Sequence, residues 1–330
     1  MRVALAALLV AAGVASGAVE GIVINRTTGK PQPGATVTLY KLGDAGMEAV
    51  ESVKSEAGGR FRIEQTPQGP HLIQTAFDGV TYNHMLPPGA PTTGLQLEVY
   101  HSSANPGAAK VTQHMVLLEP AEGRVAVTET LIFENHGKLS YNDPDRGTLR
   151  LWLPTGVKAR VMATAPAGMP IERAAAPAGR PNVYKVDFPI KPGETRFDVT
   201  YTVPLSEGGE FRGKVLHNGT VRLVTPAGVT LSGNGIELVG REPRTQAAIY
   251  SIQGSEYAVR VEGRGALRAA ADDSEDSGPG IQQILPRIYD RAPWIVGLAL
   301  GALMAGFVLL YRRSTAAAAS PPPRQGARRG

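Results

Sequence analysis

Between residues 19 and 101, apolar side chains recur at every second position in short runs punctuated by Gly and Pro. No stretch there keeps a helical period beyond a turn. Val37/Leu39, Phe61/Ile63 and Leu95/Leu97/Val99 share one face, and Thr36, Thr38, Arg62, Gln96 and Glu98 fall on the other. A chain that alternates in this way buries one side and wets the other, so it predicts strands. Seven are drawn, over 20–24, 35–41, 49–55, 60–64, 71–77, 80–86 and 95–101. Together they predict a half-buried antiparallel sandwich.

The alternation continues past residue 108 and there repeats itself. At an offset of 72, RVAVTETL (124–131) lies over RFDVTYTV (196–203), and TLRLWLPTGV (148–157) lies over TVRLVTPAGV (220–229) in the same register. Identities number 12 in 34 positions, and chance alternation does not hold one register across two blocks. Two similar β units are therefore predicted, over 108–190 and 191–267. The rival reading is one large sandwich whose halves share a pattern. Trp152, in a Leu-rich strand, is expected in the core. Pro189-Ile190-Lys191-Pro192-Gly193-Glu194 reads as a turn leading into a strand.

The two ends break the pattern. Residues 3–14 form an apolar run behind Met1 and Arg2, too short to span a bilayer, and Ser16-Gly17-Ala18 follows with small residues. This predicts a signal peptide over 1–18, with the mature chain starting at Val19. Residues 294–311 carry no charge, are bounded by Trp294 and Tyr311, and are followed by Arg312-Arg313. At about 1.5 Å per residue they cover roughly 27 Å, enough for a single transmembrane helix. Gly297, Gly301 and Ala305 would line one face of it and admit a second helix, which makes a helix-mediated oligomer an option. An acidic linker and interfacial segment is expected over 268–293, and a basic, disordered tail over 312–330. The tail has five Arg and no acid, so it is expected in the cytoplasm, with 19–293 on the periplasmic or extracellular side.

This layout changes the meaning of the charge. The net charge is +5, yet Arg2 and the five tail arginines account for six of the 34 Lys+Arg. The remaining 28 face 29 acids within 19–293, which leaves that stretch at −1 and gives no field for nucleic acid. Zero Cys excludes disulfides, thiolate nucleophiles and Cys-ligated metals, while 39 Gly and 26 Pro exclude a helix bundle. None of the six His lies three to five residues from another, and they read as scattered surface residues. Asn142-Asp143-Pro144-Asp145-Arg146-Gly147 reads as an Asx turn rather than a Ca²⁺ loop, and Ser232-Gly233-Asn234-Gly235 as a hairpin turn. No nucleophile elbow, phosphate loop or dinucleotide fingerprint occurs, so no catalytic residue, metal or cofactor is expected.

In the first module the residues also carry a likeness. Gly21-Ile22-Val23, Thr28-Gly29-Lys30-Pro31, Pro33-Gly34-Ala35-Thr36-Val37-Thr38-Leu39, Ser55-Glu56-Ala57-Gly58-Gly59-Arg60-Phe61 and Gln68-Gly69-Pro70-His71-Leu72 resemble the carboxypeptidase regulatory-like family. The resemblance covers 19–101, about a quarter of the chain. His71 departs from it, since the family usually has an aromatic there. It implies a transthyretin-like sandwich of carbohydrate-binding-like fold, used as a non-catalytic accessory or binding module. It supplies no active-site residues. The rest of the chain is similar to immunoglobulin-like modules of bacterial surface proteins in architecture only.

The expected fold class is all-β, with tandem β-sandwiches (transthyretin-like, then immunoglobulin-like) and one C-terminal transmembrane helix. The expected function is that of a membrane-anchored, non-enzymatic cell-envelope protein that binds carbohydrate or an envelope protein. Tyr40, Tyr82 and His84 are the candidate ligand-binding residues. The alternative is an accessory or scaffold subunit of a membrane complex, docked through the Gly297/Gly301 face.

Overall fold

The computed structural model describes residues 17–43, 46–65, 67–205 and 208–267, and all of them are strands, turns or irregular segments. Most of the expected leader, the acidic linker, the 294–311 span with Gly297, Gly301 and Ala305, and the tail lie outside the described residues. No helix among the described residues is long and apolar enough to cross a membrane.

The first module holds β1 (Val19–Asn25), β2 (Lys30–Pro31), β3 (Thr36–Gly43), β4 (Gly46–Lys54), β5 (Arg60–Ile63), β6 (His71–Phe77), β7 (Val80–Leu86) and β8 (Leu95–Val99). One sheet is an antiparallel ladder in the order β4-β3-β6-β7. In the other, β1 is central: β5 and β2 pair with its two ends along one side, and β8 runs parallel along the other. Val23, Val37, Leu39, Phe61, Ile63, Ile73, Leu97 and Val99 fill the space between the sheets. Every expected strand is present; only β2, two residues long, is too short to register as a period. Gly21 is needed where β1 meets β8, since a Cβ there would lie 2.1 Å from the Leu95 carbonyl oxygen.

The remainder comprises β9 (Ser102–Ser103), β10 (Ala109–Ala121), β11 (Arg124–Asn135), β12 (Ser140–Tyr141), β13 (Leu149–Trp152), β14 (Arg160–Thr164), β15 (Ile171–Arg173) and β16 (Ala175–Pro177). After these come β17 (Val183–Val186), β18 (Gly193–Pro204), β19 (Glu210–Lys214), β20 (Val221–Thr225), β21 (Thr230–Ser232), β22 (Ile236–Arg241), β23 (Ala248–Ile252) and β24 (Glu256–Glu262). One eight-stranded sheet runs β15-β14-β18-β11-β10-β20-β23-β22, and two three-stranded sheets, β13-β17-β16 and β19-β24-β21, share its core.

This arrangement corrects the expected division into units over 108–190 and 191–267. Strand β18 of the later segment lies between β11 and β14 of the earlier one, and β20 runs parallel to β10. Leu118, Leu131, Leu149 and Val186 share one apolar cluster with Phe197, Phe211, Leu223 and Val259. Either segment alone would leave long inner faces uncovered, and interleaving them buries both. The sequence repeat does not survive as a structural one. Its first block gives β11 and β18, which are antiparallel neighbours, while its second gives β13 in a small sheet and β20 in the large one. A period of two satisfies either environment.

The chain between the first module and the rest is hydrogen-bonded into place. Strand β9 pairs in parallel with β12. The Thr27 hydroxyl accepts the His101 N–H (2.9 Å) and donates to the Lys138 carbonyl (2.5 Å). Asp78 Oδ2 accepts the Ser102 N–H at 2.8 Å. These bonds fix the wall of the cleft described next.

Candidate functional site

The two sheets of the first module part along the open side between β7 and β8, and a cleft of about 370 Å³ occupies the gap. Thr75, Tyr82 and His84 line one bank and Gln96, Glu98 and Tyr100 the other, while Pro166, Lys191 and Pro192 close it from the second region. On β7, Val80, Tyr82, His84 and Leu86 share a face by alternation. Val80 and Leu86 reach the core, Tyr82 is half-buried, and His84 is exposed at the mouth.

Tyr82 is pinned by its hydroxyl, which donates to the Tyr100 carbonyl at 3.1 Å and shares a 2.9 Å bond with the Ser140 hydroxyl. Burial pushes this phenol up to about 12, because its ionised form would lose water. The Tyr100 ring lies 5.9 Å from that of Tyr82, tilted by 41°. Lys191 Nζ stands 5.1 Å from the Tyr82 ring centroid, within reach of a cation–π contact. Its backbone is held on both sides. Ile190 is fully buried and exchanges two 2.9 Å bonds with Tyr141, and Pro192 follows with its restricted φ. Burial pulls the Lys191 ammonium down to about 8, and the positive charge of Arg173 adds to the shift. Glu98, the acid of the cleft, is engaged by Arg26. Such a site can stack a ring, hydrogen-bond its edges and meet charge with one ammonium.

Of the expected ligand residues, Tyr82 and His84 come together here. Tyr40 does not: it follows core residue Leu39 on β3, opposes Leu72, and is absent from the lining. Tyr100, Gln96 and Lys191 were not read as site residues. For Lys191 the only signal was a cation between Ile190 and Pro192 in a segment that reads as a turn.

Two other hollows are less suited. One of about 480 Å³ lies over β1 and β5, where Arg62 is already neutralised by Glu20 (2.7 Å) and Glu64 (2.6 Å). The other, about 470 Å³, is lined by Trp152, Asn182, Glu210 and Arg212. It corrects the core placement expected for Trp152. Leu149 and Leu151 take the inward positions of four-residue β13, so alternation turns Trp152 outward, half-buried.

The histidines also depart from expectation, since His71 and His114 are buried rather than on the surface. His114 Nε2 lies 3.1 Å from Glu129 Oε2, and the Tyr201 hydroxyl donates to Glu129 Oε1 at 2.5 Å. All three point inward from adjacent strands of the large sheet. His114 Nδ1 has no partner, which fits an imidazole whose proton sits on Nε2, facing the carboxylate. Desolvation, and then the Glu129 charge, raise the Tyr201 phenol far above its usual range. A triad sealed this well reaches no substrate; it is a polar seam in the core.

Among the described residues no group of three His, Asp or Glu is placed to hold a metal ion. The Asx turn at Asp143 is present, with Oδ1 accepting the Arg146 N–H at 3.0 Å. Two of its carbonyls, those of Pro144 and Asp145, accept from Lys185 Nζ. Ser232-Gly233-Asn234-Gly235 is not a hairpin turn. It is a corner that carries the chain from β21 in a small sheet to β22 in the large one.

No protein-family model and no curated protein sequence matches this chain. Among solved structures, a two-domain M1 zinc metallopeptidase, crystallised as a glutamate-to-alanine mutant bound to L-tryptophan, aligns with a TM-score of 0.28 and 13% identity. That alignment covers 46% of this chain and 43% of that one. An M1 zinc metallopeptidase mutant from Deinococcus radiodurans aligns at 0.28 and 14%, covering 46% and 42%. The chain thus spans under half the length of these solved proteins.

Proposed function

We propose that this protein is a membrane-anchored, non-enzymatic envelope protein that binds a saccharide in the cleft between β7 and β8. The observation that carries the reading is the fixed pair of tilted rings, Tyr82 and Tyr100, in a hollow whose lining also includes the polar side chains of Thr75, Asn83, His84 and Gln96. Pyranose rings present apolar faces and polar edges, and an aromatic wall beside amide and hydroxyl groups complements both. The carboxypeptidase regulatory-like resemblance favours the same use, as does a transthyretin-like reading of the first module. The leader expected over 1–18 and the span expected over 294–311 support a position for that module outside the cytoplasm, with the interleaved sheets as an immunoglobulin-like stalk. Purified full-length protein in detergent, screened on a glycan array, is expected to retain a defined glycan class. Tyr100→Ala should weaken retention by about tenfold, the loss of one stacked ring. Retention of no glycan would remove the reading.

A scaffold role is the second reading, favoured by one observation. Strand β22, at the edge of the large sheet among the described residues, exposes the side chains of Leu238 (50%) and Val239 (57%). Exposed apolar edges of this kind accept a partner strand.

A further inference from the structure

The cleft contains a charge that no carboxylate among the described residues balances. Lys191 Nζ has no carboxylate within ion-pair distance among the described residues, and neither does Arg173. Arg173 lies on β15, the edge strand of the large sheet, with its guanidinium 5.2 Å from the Phe188 ring centroid. Its neighbour Glu172 is occupied by Arg160. Each cation therefore rests on an aromatic face instead of an acid; Lys191 lines the cleft itself, while Arg173 stands outside its lining and adds positive charge to the surroundings of the Lys191 ammonium. An ammonium largely out of water, with a second cation nearby and no acid on it, is stabilised when an anion arrives against it.

We propose that the cleft ligand is an acidic saccharide whose carboxylate or phosphate is held by Lys191, with Arg173 as the supporting cation. The inference rests on the cleft-binding reading above and adds the charge of the ligand to it. Lys191 donates to the anionic group while the sugar ring lies against Tyr82 and Tyr100. The other ionisable groups facing the ammonium are the Tyr82 and Tyr100 phenols, both raised by burial, and His84 at the mouth. Glu98 is already held by Arg26 and does not compete for Lys191. Only the protonated amine serves. With a free-state value of about 8, affinity should fall by about tenfold between pH 7 and pH 9 as the charge is lost.

The test is binding of full-length protein in detergent to matched glycans: uronate-bearing, the same glycans as methyl esters, and phosphorylated counterparts. Expected are binding of one acidic set and rejection of its neutral partner, with preference for uronate or phosphate separating the two sources of anion. Lys191→Met should weaken binding by about tenfold, Arg173→Met by about threefold, and Lys191→Arg should keep the affinity but lose the decline between pH 7 and 9. Thermal melting of each variant confirms that the fold is intact. Equal binding of acid and methyl ester, with Lys191→Met silent and Tyr100→Ala damaging, overturns the anion while leaving the cleft reading in place. Acid binding that neither cation variant changes also overturns it, because the anion then sits elsewhere. Binding of no glycan overturns both.

Discussion

Single residues in this protein make sense through what their neighbours leave unsatisfied. Glu129 is buried on the inner face of the large sheet and is tolerated because Tyr201 and His114 take its two oxygens. Removing the carboxylate leaves a buried hydroxyl and a buried imidazole without partners, so Glu129→Ala is expected to lower unfolding stability by about 3 kcal/mol. Glu129→Gln should be milder, because the imidazole can change tautomer and accept from the amide. Urea titration of the three proteins checks the order. His217 gives a second, pH-dependent case. Its Nε2 lies 3.1 Å from the Arg150 amide nitrogen and 3.0 Å from the Arg150 carbonyl oxygen, and burial pulls the imidazole down from 6.5 to about 4. The folded state therefore keeps it neutral where the unfolded chain would protonate it. Its contribution is complete above pH 6.5 and is lost as pH falls toward 4. The urea midpoint of His217→Gln is expected to change less with pH across that window than that of the parent protein; equal slopes would mean the imidazole titrates normally.

At the scale of elements, the first module was legible because each strand has a wet face and a dry one, and punctuating Gly and Pro mark its ends. The seven expected strands match β1 and β3 to β8 within a few residues. The second region was legible as strands but not as sheets. Arg150 and Arg222 occupy matching positions of the repeat, yet the strands that carry them lie in different sheets, since alternation encodes exposure and says nothing about which partner supplies the cover. The β10–β20 pairing, a parallel contact between segments about a hundred residues apart, leaves no local mark at all. The site was half legible for the same reason. Tyr82 and His84 share a strand, whereas Lys191 reaches them only because β12 and Ile190 bring its turn across the cleft. That delivery depends on the junction, and Thr27 is its smallest component. Thr27→Val removes both the acceptor for His101 N–H and the donor to Lys138, so the 101–108 segment should become a site of limited proteolysis while the melting temperature shifts by only a few degrees. Unchanged cleavage kinetics would mean that β9 and β12 hold the junction without it.

For the whole molecule, what matters is which compartment receives which charge. The chain is basic overall, yet the excess lies at its two ends, and residues 19–293 are close to neutral with a net charge of −1. On the envelope reading, a tail with five arginines and no acid would stay on the cytoplasmic side, favoured by the membrane potential and by anionic lipid, while the near-neutral β-rich mass is exported. The same sequence supplies a clean assay, because it contains no cysteine and any thiol label must report an introduced position. Glu237→Cys is suitable on one side, since Glu237 is exposed on edge strand β22, and Ser320→Cys on the other. In intact spheroplasts expressing each variant, a membrane-impermeant maleimide is expected to label position 237 at once and position 320 only after lysis. The reverse pattern would put the cleft in the cytoplasm and end the envelope reading along with its acidic saccharide. Labelling of both positions before lysis would mean that 294–311 does not cross the bilayer, and the β-rich mass would then need another route to the cell surface.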